Sequence, residues 1–120
     1  MALEFTIAES RYKKIHKDKW VPFPDKIRAY LDTHKSDFSS GITILLSFDE
    51  YGDTLLYREK MEILIQLCAE IQKSTDDYSV FDKCKLSGIT KDELLVFSIE
   101  LSELLQFAID NGEFVLSVGD

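Results

Sequence analysis

The chain is poor in the residues from which small reactive sites are built. Five glycines, two prolines, two cysteines and two histidines stand among its 120 residues. Glycines scattered singly form no Gly-x-Gly-x-x-Gly fingerprint and no phosphate loop, and no Gly-x-Ser-x-Gly elbow is present. His16 and His34 have no Cys or Asp pair beside them at ligand spacing, so both read as solvated loop histidines and no metal site is expected. Residues 41–48 are the clearest uncharged apolar run, far short of the ~20 residues a bilayer span requires. An acid, Glu4, stands where a secretion signal carries basic residues, so no export signal is expected and the expected compartment is the cytoplasm. There Cys68, on an apolar helical face, and Cys84 are expected as buried thiols and not as a disulfide.

Positive charge is also in short supply. Fourteen Lys and Arg face 22 Asp and Glu, for a net charge of −8. The imbalance is uneven: residues 1–40 carry eight basic side chains against six acidic, whereas residues 41–120 carry six against sixteen. Such a surface repels nucleic acid and anionic lipid and attracts basic proteins at long range, although solubility alone accounts for a charge of this size. What the chain does have is apolar material. A hydrophobic share of 45% and an aromatic share of 12% suffice for a core without disulfide or metal staples, and the length matches one globular domain spanning residues 1–120.

Alternation of Leu3, Phe5 and Ile7 with polar or small neighbours predicts a half-buried first strand. Residues 11–19, with five basic side chains around Tyr12 and Ile15, read as a solvated connection or a frayed short element, and residues 21–25 halt regular structure. A helix then opens at Pro24 and Asp25, carries Ile27, Tyr30 and Leu31 on one face, and dies near Thr33. The run 42–48 reads as a central strand buried on both faces. Next come an acidic turn, 49–53, and a helix over 57–73 presenting Met61, Leu64, Ile65, Cys68 and Ile71. Residues 74–88 read as a polar connection tacked down by Val80, Phe81 and Leu86. A capping box, Thr90 with Glu93, opens a helix that carries Leu94, Phe97, Leu101, Leu104, Leu105 and Ala108 and ends at Asn111 and Gly112, and residues 113–118 return as a strand. The expected fold is α/β or α+β: a small three-stranded sheet packed by about three helices, in the order β-α-β-α-α-β, with a right-handed parallel crossover if the first two strands are neighbours.

The candidate chemistry is sparse. Asp49, Tyr51 and Asp53 resemble the opening of a calcium loop, but Thr54 stands where that loop needs Gly and Lys60 where it needs Glu. The carboxylate pairs, such as Asp49 with Glu50 and Asp92 with Glu93, fall in turns or at helix starts, as ordinary caps and solvated acids do. Basic and aromatic residues mix in 11–20, yet one short stretch does not outweigh the acidic remainder, so no nucleic acid is expected as a partner. No catalytic group, cofactor or membrane partner is expected. Two segments combine tyrosine with carboxylates: Asp49, Glu50, Tyr51, Asp53 and Tyr57 in one, Asp76, Asp77 and Tyr78 in the other. That is a composition suited to binding, where the ring supplies area and the acids meet Lys or Arg; the plain alternative is a pair of polar loops.

In size, acidity and absence of catalytic groups, the chain resembles the bacterial immunity proteins of polymorphic and contact-dependent toxin systems. Its expected element order is similar to the barstar-type arrangement. The nearest thing to a motif is Phe48-Asp49-Glu50-Tyr51-Gly52-Asp53. The resemblance implies a non-catalytic protein that occludes a basic toxin domain. The alternatives are a small enzyme or ligand-binding protein whose site is assembled from distant residues, and a regulatory subunit.

Overall fold

The computed structural model describes residues 3–8 and 15–119, and of residues 15–18 only the backbone. It is an α+β fold: a four-stranded antiparallel sheet with helices packed against it. The strands are β1 (Leu3–Ala8), β2 (Ile15–Phe23), β3 (Asp53–Leu56) and β4 (Phe114–Val118), in the spatial order β2-β1-β4-β3. Five α-helices occur among the described residues: α1 (Asp25–Thr33), α2 (Gly41–Leu46), α3 (Arg58–Ser74), α4 (Tyr78–Leu86) and α5 (Lys91–Asp110).

Side-chain alternation explains how the layers form. Leu3, Phe5 and Ile7 of β1 share a face with Val21 and Phe23 of β2 and with Val115 of β4, and all join one core with Leu56 and the buried residues of all five helices. Phe5 lies between Phe23, at 5.8 Å, and Phe48, at 5.4 Å edge-on, while Phe23 stacks on Phe97 of α5 at 5.0 Å. Such ring pairs add to the burial term and fix how α5 sits on the sheet.

Several expectations are borne out. α1, α3, α5, β1 and β4 lie within a residue or two of where they were read, and the apolar faces of α1 and α5 are buried as expected. Thr90 caps α5, its Oγ1 accepting from the Glu93 N–H at 3.0 Å. Gly112 follows with φ +66°, the left-handed conformation that glycine adopts without strain.

Other expectations are corrected. The run read as a central strand, 42–48, is instead α2 and the residues after it. Its uncharged sequence has no period that separates strand from helix, and packing decides. Gly41 lies so close to α3 that a Cβ there would sit 3.2 Å from Ile63 and 3.4 Å from Leu67, while Ile42 and Leu45, three apart, enter the core. Among the described residues the sheet has four strands, not three, and none is parallel, so there is no crossover between the first two strands. β3 escaped notice because four residues without β-branched enrichment are held by pairing with β4.

β2 runs through part of the stretch read as a solvated connection; residues 11–14 of that stretch lie outside the described residues. Charge and Pro22 are tolerated because β2 is an edge strand, where one side of the backbone needs no ladder partner. β1 is not half-buried: as an inner strand it buries Thr6 and Ala8 as well as Phe5 and Ile7. The connection 74–88 contains α4, which turns Val80 and Cys84 inward; Phe81 and Leu86 are exposed and tack nothing down.

Candidate functional site

The acidic turn 49–53 joins α2 to β3 and is held by contacts from three distant parts of the chain. Arg28, on α1, reaches across with a side chain that is only about one-fifth exposed. Its Nη2 donates to the carbonyl oxygens of Leu46, at 2.9 Å, and Phe48, at 3.0 Å. These are carbonyls at and just beyond the C-terminal end of α2, where partial negative charge gathers and a cation is favoured. Nη1 lies 3.3 Å from Oε1 of Glu50. From below, Phe48 is anchored on Phe5 in the core. From the other side, the Gly119 N–H donates to the Gly52 carbonyl at 3.0 Å. A Cβ on Gly119 would come within 2.6 Å of the Glu50 backbone, so the approach of that strand to the turn requires glycine. Inside the turn, the Asp49 carboxylate accepts from the Tyr51 N–H at 2.9 Å, an Asx-type closure.

These tethers fix the backbone and leave the Tyr51 ring 70% exposed. Asp53 is exposed at the head of β3, opposite Val118. Tyr57, 47% exposed, stands at the N-terminal end of α3 with its ring edge-on to Phe114 at 5.4 Å. Of the first expected segment, then, Asp49 and Glu50 do structural work, while Tyr51, Asp53 and Tyr57 face outward from a braced frame.

The second expected segment lies beyond the other end of α3, whose 17 residues span about 25 Å. The Asp77 carboxylate accepts from the Ser79 N–H at 2.9 Å and caps α4. This hydrogen bond holds its carboxyl below the usual value. Asp76 is exposed, and Tyr78 is 93% exposed at the first position of α4. Phe81, and Leu86 at 90% exposed, add apolar area on α4, although both are expected from the sequence to turn inward. Tyr57 and Tyr78 therefore flank opposite ends of α3 and do not form one patch.

The thiols are poor candidates for chemistry. Cys68 and Cys84 are free and buried. Burial pushes the Cys68 thiol up to about 12 and raises that of Cys84 too, so both stay protonated at neutral pH. Burial also raises Tyr30, whose hydroxyl interacts with Cys84 inside the core. Among the described residues, no three His, Cys, Asp or Glu side chains gather as a metal site, and no helix is long and apolar enough to cross a membrane.

Arg28 and Gly119, which position the turn, carried no signal in the sequence: a lone Arg on a helix and a terminal Gly are common. Comparison with protein-family models, curated proteins and solved structures finds no match for this chain.

Proposed function

We propose that this chain is a non-catalytic binding protein, an immunity protein that neutralises a cognate toxin in the cytoplasm by occluding it with the turn 49–53. The observation that carries the reading is a turn braced by Arg28 and Gly119 with Tyr51 left exposed at its tip. A loop ordered before contact loses little conformational freedom on binding, and a rigid tyrosine is a frequent anchor in interfaces. Asp49, Glu50 and Asp53 around it, within a chain of net charge −8, favour fast encounter with a basic partner. Tyr57 extends the surface, and Asp76, Asp77 and Tyr78 supply a second contact to a partner wide enough to reach past α3.

The test is to look for a large reading frame beside this gene and, where there is one, to co-express the C-terminal domain of its product with the chain. Growth is rescued by the native chain, and Tyr51→Ala weakens the complex by about 2 kcal/mol or more in a calorimetric titration, as hot-spot tyrosines do. Failure of the native chain to rescue growth rejects the immunity reading. Rescue with unchanged affinity in Tyr51→Ala rejects the turn as its contact.

A further inference from the structure

A second surface stands apart from the turn, in the crevice between the edge strand β2 and helix α5. One side of α5 presents the adjacent acids Asp92 and Glu93 and then Val96, Glu100, Glu103 and Phe107 at steps of three or four residues, over about 22 Å. The facing wall comes from Pro22, Pro24 and Ile27. Together they enclose a depression of about 400 Å³, floored by Phe97 and rimmed by Asp92, Glu93 and Glu100. Val96, half exposed, offers its apolar branches on this wall. A second depression of about 500 Å³ continues from the shared Glu100 towards Glu103, Leu104 and Phe107, with Lys19 and Trp20 opposite.

The charge of the α5 wall is one-sided. After Lys91, every ionisable residue of α5 is an acid, and none of Asp92, Glu93, Glu100 and Glu103 is ion-paired among the described residues. At its far end the chain itself displays the kind of group the crevice accepts. Lys19 places its ammonium 4.3 Å from the centre of the Phe107 ring, beside the wall that carries Glu100 and Glu103. The half around Val96 has the same combination of apolar floor and carboxylate rim, without a lysine of its own.

We propose that this crevice docks a cationic segment of a partner protein, which seats an apolar side chain on Val96, Pro22 and Pro24 and sets Lys or Arg against Glu93, Glu100 and Glu103. Charge complementarity selects that occupant: an acidic segment meets uncompensated carboxylates, and a purely polar one leaves the apolar floor unfilled.

The experiment titrates the isotope-labelled full chain with a synthetic peptide of about ten residues, lysines with two leucines, and follows backbone amide shifts. Two further peptides replace the leucines by serine or the lysines by glutamate. The expected result is shifts concentrated around Phe23, Val96 and Glu100, with the lysine–leucine peptide binding about tenfold or more tightly than either control. Val96→Ser and Glu100→Lys, both at exposed positions, each weaken it by about tenfold with unchanged circular dichroism, and Tyr51→Ala leaves it unaltered. Four outcomes overturn the proposal: shifts spread evenly over the acidic surface, equal binding of the serine peptide, indifference to both crevice variants, or the same amides moving when the free protein is diluted, which assigns the crevice to a second copy of this chain. Because Tyr51 and the crevice are varied separately, loss of one surface leaves the test of the other intact.

Discussion

The turn 49–53 and the segment 76–78 are alike in composition, each a tyrosine among carboxylates, but they are held in different ways. The turn is tied to α1 through Arg28, to the end of the chain through Gly119, and to the core through Phe48. The segment 76–78 is held locally, by the Asp77 cap on Ser79 and by carbonyls of α3 within three residues. Long-range tethers determine a shape before a partner arrives, whereas a single cap determines only where a helix begins. Equal composition thus gives unequal readiness to bind, and Tyr51 and Tyr78 are separated less by exposure than by the rigidity beneath them.

This contrast can be broken at several points, of decreasing force. Phe5→Ala removes the ring under Phe48 and beside Phe23; it costs about 3–5 kcal/mol in urea denaturation and loosens the turn, but leaves the start of α4 as it was. Arg28→Met keeps the aliphatic stem and leaves the Leu46 and Phe48 carbonyls without their donor. It costs about 2 kcal/mol, and hydrogen exchange quickens at 47–53 and not at 76–81. A Cβ at Gly119 meets backbone within 2.6 Å, so Gly119→Ala costs about 1–3 kcal/mol and displaces the amide signals of 49–53.

Acidification separates the two regions by pH. The Asp77 carboxyl is held down by its hydrogen bond to the Ser79 N–H, so its folded pKa lies below its unfolded one. The stability it contributes is therefore complete above the ordinary carboxylate value and is lost as pH falls through the lowered folded value. The N-terminal turn of α4 frays in that window, seen as faster amide exchange at 79–81, and Asp77→Asn shows less of this dependence. Smallest of all, Tyr51→Ala changes stability by less than about 0.5 kcal/mol, because its ring is mostly in solvent. A large loss there makes the ring part of the frame, and the comparison fails.

Much of the molecule was legible because it is written in local terms. The helical faces of α1 and α5, the Thr90 cap, the Asn111 and Gly112 stop and the alternation of β1 all follow from spacing and backbone preference within a few residues. The composition of the turn was legible too. Its bracing was not, because Arg28 and Gly119 lie 18 residues or more from the atoms they hold. α4 was missed because only Val80 and Cys84 turn inward, too few for a visible period.

By itself, then, the sequence determined the acidic surplus, the apolar content sufficient for a core, and the elements long enough for their period to show. Tertiary structure alone decided that 41–46 coils into a helix against Ile63 and Leu67, that 53–56 becomes an edge strand, and that every strand pairing is antiparallel. The reason is common to all three. A short segment gains too little from its own propensity to choose a conformation, so the choice falls to the partner surface that buries it.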